Sequence, residues 1–416
     1  MKAIVAAALI VSAAGARAAD FSPDSWPIEA KRSAETQELQ GWAPAAPRLV
    51  QGPGGVIAAT VSPIAVQAGL AILRKGGTAA DAAASVALTQ VATQLGSVVS
   101  YAGIMTVVYY DAKTGTVSSL DAGFGTWRKE TDPASIPPSD ISALTGGTPP
   151  EISEGLGRQV LVPGFMAGIE ALQKRFGRYS LAQSLQPAIW YAKNGMTVSP
   201  TLAALFQMRR KQFERTDAGR AFLSQSGRAV PLAGDVFKQP QLAATLTAVA
   251  RDGARTMYTG AWAKDFVAAV RRDGGKADLA DLAAYRPVWS DAAKTKVFGH
   301  TVYTNGGASL APYQFLTALN AAEALKLDAR GPYWRDADTL HVLTELGAVT
   351  AGAPVIHPAV AKIMTDRGID PSRGGSCRRL MRKHWPTRCR DCSRRPIRQI
   401  IIPTPLSSST GTATSR

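Results

Sequence analysis

The chain is 416 residues long, 46% hydrophobic and 19% charged, with 38 Gly and 26 Pro. This composition excludes a disordered or collagen-like polymer and supplies enough apolar residues for one large or two medium globular units. The formal net charge of +16 is uneven, because residues 371–416 hold ten Arg and one Lys but one acidic residue, Asp391. The basic excess therefore belongs mainly to this tail.

The first 18 residues have the arrangement of a secretory signal peptide. Met1 and Lys2 form a short positive region, and residues 3–14 form an apolar stretch too short to span a membrane. Ala16-Arg17-Ala18 is the small-x-small pattern before a cleavage site. We expect cleavage after Ala18 and a periplasmic or secreted protein; a buried N-terminal helix is the alternative.

Three elements are predicted after a polar, Pro-rich lead segment (residues 19–53). Val56–Thr60 is apolar enough for a strand buried on both faces. A helix follows, because Ser62 can cap it, Pro63 suits its first turn and Gly76-Gly77 can end it. A second, Ala-rich helix is predicted over Ala79–Thr93.

The clearest sheet signal lies in the middle of the chain. Ile104–Tyr110 and Thr116–Asp121 flank a polar turn that contains Gly, which predicts a β-hairpin. A Pro- and Gly-rich loop (131–150) follows, and strand character recurs around Thr295–Val302. Further helices are predicted near Gly164–Arg175, Leu181–Asn194, Pro200–Phe213, Gln241–Arg251, Thr259–Asp273, Asp278–Tyr285, Pro312–Leu325 and Ala337–Leu346.

Several segments match, in order, a known protein family. The most specific is Ile72–Ala83, which reads ILRKGGTAADAA and follows Gly55–Thr60. The others are Val162-Pro163-Gly164, Phe176-Gly177, Gln186-Pro187-Ala188, Lys193-Asn194-Gly195, Met257–Gly260, Gly274-Gly275 and Asp281–Tyr285. Together they resemble the large subunit of gamma-glutamyltranspeptidases, self-cleaving N-terminal-nucleophile hydrolases. The resemblance implies an α/β fold, an α/β/β/α sandwich that is incomplete here, for residues 54–370.

The resemblance also implies an activity. Such an enzyme is an amidohydrolase or acyltransferase for a gamma-glutamyl peptide or related amide, has no metal or organic cofactor, and pairs with a small subunit. A Thr hydroxyl attacks the peptide bond before it, and the freed Thr then acts as nucleophile with its α-amine as base. In relatives this Thr follows the large subunit. We identify no such residue and assign no catalytic residue, so we expect the chain to be truncated before the nucleophile and inactive.

The tail, residues 371–416, reads unlike any part of such an enzyme. With TCN codons for Ser407–Ser409, a shifted reading frame is compatible with the peptide His-Thr-Asp-Ser-Val-Val-Val-Val-Asp-Arg-Asp-Gly-Asn-Val. This peptide resembles the family's sequence around its nucleophilic Thr. We interpret the tail as frame-shifted or disordered, with the shift between about residues 365 and 400.

Three segments of the expected substrate pocket depart from the family pattern. The family places an Arg two residues after the Asp of the second hairpin strand, to bind a carboxylate, but Gly123 follows Asp121 by two. The run of four glycines is altered within Gly96–Gly103, and the Pro-Ser-Ser-Gly-Gly region reads Asn305–Ser309. The true substrate therefore stays open.

Two arginines could supply the missing cation. Arg128 is the candidate substrate-binding residue, with Arg158 as the other possibility, and a solvated surface Arg is the alternative for each. Asp81 falls in the most specific segment, but its place in the first turn of a predicted helix favours a capping role.

The other reactive side chains form no convincing site. Cys389 and Cys392 make a CxxC motif in the tail, which also holds Cys377, but it has no second pair and only His384 nearby. We therefore predict no metal site. The remaining histidines are expected to be structural or surface residues: His300, His341 and His357. The alternative function is a secreted, non-catalytic binding protein whose basic tail attracts phosphate non-specifically, without a specific nucleic-acid or membrane partner.

Overall fold

The computed structural model describes residues 19–40, 51–52, 55–59, 62–95, 100–136, 156–307 and 310–352. The predicted signal peptide, the basic tail with its cysteines, His357 and residues 96–99 of the altered glycine run lie outside these residues. The chain divides into two compact units. The first is Met1–Thr106 with Leu120–Val288, and the second is Val107–Ser119 with Trp289–Arg416.

Helices predominate among the described residues. The α-helices are α1 (Ile28–Leu39), α2 (Pro63–Arg74), α3 (Ala79–Thr93), α4 (Phe165–Phe176), α5 (Leu181–Asn194), α6 (Pro200–Met208), α7 (Arg210–Phe213), α8 (Asp217–Leu223), α9 (Pro240–Asp252), α10 (Thr256–Thr259), α11 (Ala261–Arg272), α12 (Leu279–Ala284), α13 (Leu310–Ala324) and α14 (Ala337–Gly352). Short 3-10 helices cover Pro23–Ser25, Pro133–Ser135, Leu156–Gln159, Ser224–Ser226 and Leu327–Ala329.

The described strands form four small sheets. The strands are β1 (Gln51–Gly52), β2 (Gly55–Val56), β3 (Met105–Asp111), β4 (Thr116–Ala122), β5 (Met196–Thr197), β6 (Val236–Phe237), β7 (Val288–Asp291), β8 (Ala293–Val297) and β9 (His300–Thr304). Antiparallel pairs join β1 to β2, β5 to β6 and β8 to β9. The fourth sheet has the strand order β3-β4-β7.

The helices α2 and α3 form as their sequences predict. The Ser62 hydroxyl accepts from the backbone N–H of Ala65, and Pro63 is the first residue of α2. Gly76 follows the helix at a φ of +79°, which a non-glycine residue rarely adopts. At the start of α3, Thr78 and Asp81 form a reciprocal capping box. These caps fix the short α2–α3 connection.

The main core of the first unit lies where α3, α4, α5 and α9 meet. Leu88 of α3, Met166 and Ile169 of α4, Leu185 of α5 and Leu246 of α9 are fully buried in one apolar cluster. Burying a side chain of this size stabilises a fold by about 1.5–3 kcal/mol. The four helices thus share one hydrophobic core.

An additional helix, α1, lies in the segment interpreted as a polar lead. Only Ala34 and Glu38 of its 12 residues are buried, so its sequence lacks the apolar periodicity that indicates a helix. Aromatic side chains before it dock instead: Phe21 is fully buried and packs edge-to-face on Tyr179, with ring centroids 4.7 Å apart. We call residues 19–40 the N-terminal arm.

Two sequence-based boundaries were wrong. Among the described residues of Val56–Thr60, only Val56 lies in a strand, because only β2 finds a partner in β1. The helix predicted over Pro200–Phe213 breaks at Arg209 into α6 and α7. The strands predicted around Thr295–Val302 are confirmed: β8 pairs with β9 in a hairpin, and Phe298 and Gly299, both with positive φ, reverse the chain between them.

In the second unit, the β8–β9 hairpin packs on α13. The Thr295 hydroxyl donates to Asn320 Oδ1 at 2.8 Å, and the Phe298 N–H donates to Glu323 Oε1 at 2.6 Å. Both acceptors lie on α13, so they fix the hairpin on one face of this helix. Across the described ranges, no helix combines the length and apolar character needed to span a membrane.

Candidate functional site

The end of the β3–β4 hairpin is where the resemblance placed a carboxylate-binding Arg. The backbone N–H of Gly123 donates to Asp121 Oδ1 at 2.8 Å, and the Tyr285 phenol donates to the Gly123 carbonyl oxygen at 2.6 Å. Both backbone groups of Gly123 are therefore bonded within the chain. A Cβ at this position would lie 2.9 Å from Asp121 Oδ1, so the carboxylate occupies the space where a side chain would begin.

The Val162-Pro163-Gly164 motif packs directly against this hairpin end. Gly125 and Val162 exchange two backbone hydrogen bonds, of 3.0 and 2.8 Å. A Cβ on Gly164 would come within 2.2 Å of both the Ala122 carbonyl oxygen and the Tyr285 hydroxyl. Real Cβ atoms do not approach other atoms so closely, so only glycine fits here.

Two tyrosines complete this arrangement. The Tyr258 hydroxyl donates to the Pro163 carbonyl oxygen at 3.1 Å and accepts from the Ala167 N–H at 3.2 Å, and its ring stacks on Tyr285. Burial raises the pKa of Tyr285 to about 12 and raises the pKa of Tyr258 as well. Both phenols are therefore neutral donors at physiological pH. Sequence reasoning assigned neither a role, although both lie in family-like motifs.

Arg128, the predicted substrate-binding residue, lies close to this region and is paired. Its backbone N–H donates to Asp281 Oδ2 at 3.0 Å, and its side-chain Nε donates to Asp281 Oδ1. The Asp281 side chain is 5% exposed, whereas that of Arg128 is 72% exposed. The pair leaves most of the guanidinium accessible, and a role for Arg128 in substrate binding stays a prediction.

Arg158, the other candidate, is more fully engaged. Its Nε and Nη2 donate to the two carboxylate oxygens of Glu130, at 2.9 and 2.7 Å. Further bonds go to Ser135 Oγ and the Asp132 carbonyl oxygen. The hydrogen bonds from Arg158 lower the pKa of Glu130. The two guanidinium nitrogens that could bind a substrate carboxylate in a bidentate pair are therefore occupied by Glu130.

In the second unit, residues 305–307 are the described part of the Asn305–Ser309 region, and the backbone at Gly306 is closely packed. The Gly306 N–H donates to Ser119 Oγ at 2.9 Å, and a Cβ on Gly306 would lie 2.3 Å from the Asp291 carbonyl oxygen. The buried side-chain nitrogen of Asn305 has no hydrogen-bond partner among the described residues. Glycine is therefore required at 306 for steric reasons.

Asp81 has a structural role, as predicted. Its carboxylate is fully buried and accepts from the N–H and hydroxyl of Thr78, at 2.9 and 3.0 Å. It also accepts from the backbone N–H groups of Arg178 and Tyr179, at 2.9 and 3.2 Å. Asp81 thus caps α3 and ties it to the loop between α4 and α5.

Other candidate ligands are dispersed. Within the part of the chain that the structure describes, no three His, Cys, Asp or Glu side chains lie together as a metal site would require. His300 and His341 are both exposed, in agreement with their interpretation as surface residues.

Residues 65–378, more than half of the chain, match the sequence profile described as Gamma-glutamyltranspeptidase. The chain belongs to the gamma-glutamyltranspeptidase family. The resemblance of its motifs is thereby confirmed. A similar protein is the glutathione hydrolase proenzyme of Bacillus subtilis (strain 168), 29% identical over 314 residues, which are 73% of this chain and 51% of the relative.

Solved structures show that the gamma-glutamyltranspeptidase fold is shared. The gamma-glutamyltranspeptidase of Helicobacter pylori superposes with a TM-score of 0.66 at 23% identity, covering 80% of this chain and 93% of that chain. A cephalosporin acylase from Bacillus halodurans gives a TM-score of 0.55 at 27% identity, covering 69% and 52%. The expected α/β fold of an N-terminal-nucleophile hydrolase is confirmed. The chain spans about half the length of the glutathione hydrolase proenzymes it matches.

Proposed function

We propose that this chain provides the large-subunit scaffold of a gamma-glutamyltransferase or hydrolase, which transfers the acyl group of a gamma-glutamyl peptide or a related amide. The convergence of family motifs at the hairpin end carries this proposal. Val162-Pro163-Gly164, Tyr258 and Tyr285 all contact one another or the segment 122–125. The names of relatives, glutathione hydrolase among them, give the substrate class.

The nucleophile of this reaction belongs, in our proposal, to a sequence that the translated tail does not carry. The chemistry needs a Thr whose α-amine is freed by cleavage of the preceding bond, so an internal hydroxyl cannot replace it. The family match ends at residue 378, and the residues after it are Arg-rich and show no family pattern. We therefore propose that the 416-residue polypeptide is inactive alone.

A small-subunit partner would cover apolar surface on the hairpin. In β3, alternate residues are exposed on one face, and Val108 and Tyr110 are 41% and 63% exposed. β3 is also the outer strand in the order β3-β4-β7 of the described sheet, so its outer backbone edge could pair with a further strand. We propose that the small subunit packs here and that the chain alone is poorly soluble.

Export to the periplasm or beyond is part of the same proposal. It rests on two observations: residues 1–18 resemble a signal peptide, and the contacts of the N-terminal arm with the rest of the first unit begin at Ala19. Gln183 Nε2 donates to the carbonyl oxygen of Ala19 at 3.3 Å, and Phe21 is fully buried. Cleavage after Ala18 would therefore leave these contacts of the arm intact.

The test compares two polypeptides: the 416-residue chain, and a version in which the shifted frame of the tail is restored. The matched control is the restored version with its nucleophilic Thr replaced by Ala. Intact mass reports self-cleavage, and amine release from a gamma-glutamyl amide reports acyl transfer. We expect both in the restored version alone. A secreted binding protein would show neither in any version, and a gene without a nucleophile-like peptide in the shifted frame would overturn the frameshift.

A further inference from the structure

A carboxyl group is buried beneath the N-terminal arm, away from the hairpin end. Glu38, in the last turn of α1, is 6% exposed. Its Oε2 accepts from Ser62 Oγ at 3.0 Å and from the Ile64 N–H at 3.3 Å, and its Oε1 accepts from Gln94 Nε2 at 2.6 Å. One side chain thus joins α1 to the start of α2 and the end of α3.

The groups around Glu38 are almost all neutral. Ser62 caps α2 and Ile64 lies in the first turn of that helix. Thr93, whose hydroxyl lies 2.7 Å from Ser62 Oγ, comes from α3. From α5, the Tyr191 phenol interacts with Glu38 but donates its hydrogen bond to Glu35, another acid on α1. Within the described ranges, no ion pair to Lys, Arg or His involves Glu38.

A buried carboxylate without a cation is unfavourable when charged. The N-terminus of α2 and three donors compensate only in part. Burial is the dominant effect and raises the pKa of Glu38 from 4.5 to about 7. The docked arm therefore binds a proton more tightly than an undocked arm, whose Glu38 would be solvated.

We propose that Glu38 is a protonation-dependent latch that holds the N-terminal arm on α2 and α3. When it is protonated, the carboxyl can still exchange hydrogen bonds with Ser62 and Gln94, because the Ser62 hydroxyl and the Gln94 amide can each reverse their donor and acceptor roles. When it is charged, the same site holds an unpaired buried charge, so docking weakens. The latch acts on the arm, not on the chemistry of acyl transfer.

The direction of the pH dependence follows from linkage. Because the docked pKa lies above the undocked one, docking is strongest below about pH 4.5 and weakens as the pH rises through about 7. Over that interval the docking equilibrium changes on the order of 10²-fold. Above that range the contribution of Glu38 no longer changes.

Hydrogen–deuterium exchange of the full chain tests the latch. The measured quantity is the protection of the α1 amides from about pH 5 to about pH 8, corrected for the intrinsic effect of pH on exchange. The variant is Glu38→Gln, which keeps the shape but cannot ionise. The matched control is Glu29→Gln, because Glu29 lies on the same helix but is exposed and paired only with exposed Arg32.

We expect the protection of α1 in the wild-type chain and in Glu29→Gln to fall on the order of 10²-fold across this range. In Glu38→Gln, protection should stay constant. Protection of the α9 amides serves as the internal reference, because none of the hydrogen-bond partners of Glu38 lies on α9. Wild-type protection that is independent of pH, or an equal pH dependence in Glu38→Gln, would overturn the proposal, and the wild-type profile decides even if the variant folds poorly.

Discussion

Arg128 and Asp281, 153 residues apart, form an ion pair in which only the carboxylate is buried. The backbone N–H of Arg128 also donates to Asp281, so the carboxylate fixes the chain path at Arg128 independently of the guanidinium. Arg128 is therefore held in place at its backbone while most of its side chain reaches solvent. This arrangement suits a cation that binds an incoming anion.

The role of Arg128 can be tested by Arg128→Ala in the frame-restored, active form. If Arg128 binds a substrate carboxylate, its loss should raise KM about tenfold with little change in kcat, because one charge-assisted contact contributes about 1.4 kcal/mol. Steady-state kinetics with a gamma-glutamyl amide measures both constants. Arg158→Ala is the matched control, because the Arg158 guanidinium is already paired with the Glu130 carboxylate. An unchanged KM in Arg128→Ala would remove it from the site.

Gly164→Ala should disrupt the packing at the hairpin end. The added methyl would lie 2.2 Å from the Ala122 carbonyl oxygen, which belongs to backbone and cannot rotate away. We expect a loss of about 3 kcal/mol in the free energy of unfolding, measured by urea denaturation. Gly347→Ala is the control, because a Cβ at this position in helix α14 would meet no atom of the described residues within 4 Å. A similar effect of both substitutions would show that close packing at Gly164 is not decisive.

Asp81→Ala should cost more than the loss of an ordinary cap. It would leave the partly buried backbone N–H groups of Arg178 and Tyr179 without their acceptor, in addition to uncapping α3. We expect about 3 kcal/mol of destabilisation. Ser180→Ala, in the exposed capping box of α5, should cost about 1 kcal/mol. Equal costs in thermal or urea unfolding would contradict the tie between α3 and the α4–α5 loop.

Buried tyrosines should resist alkaline ionisation. Burial raises the pKa of Tyr285 to about 12, and it also raises the pKa of Tyr101, Tyr191 and Tyr258. Their contribution to stability is complete below about pH 10 and, for Tyr285, is lost as the pH rises through about 12. Tyrosinate absorbance should therefore rise in two phases, the second together with loss of circular dichroism. A single phase near pH 10 with the fold retained would contradict this.

Sequence reasoning located the elements whose signals are local. The helices α2, α3 and α5 formed where they were predicted, and in the structure local side chains cap each of them: Ser62, Thr78 and Ser180. The helix α1 was missed because tertiary contacts of Phe21 and Glu38, rather than its own pattern, hold it. The position of the turn between β8 and β9 was not predicted, because the positive φ of Phe298 is uncommon for a bulky residue.

The candidate site was less accessible to sequence reasoning than the fold. The family motifs were recognised, but their meeting around Gly123 depends on chain paths that bring Val162, Tyr258 and Tyr285 together from distant positions. The pairing of Arg128 with Asp281 is equally non-local. Residue types and their spacing along the chain do not indicate which distant residues come into contact. The helices and the family could therefore be predicted, but these long-range contacts could not.

Our central proposal is that this chain supplies the large-subunit scaffold of the family and that residues 371–416 do not provide the nucleophile. The most direct measurement is the intact mass of the purified 416-residue chain after prolonged incubation, followed by an assay for amine release from a gamma-glutamyl amide. We predict a single uncleaved polypeptide, shortened at most by the predicted signal peptide (residues 1–18), and no release of amine from the substrate. Two fragments together with amine release would contradict the claim.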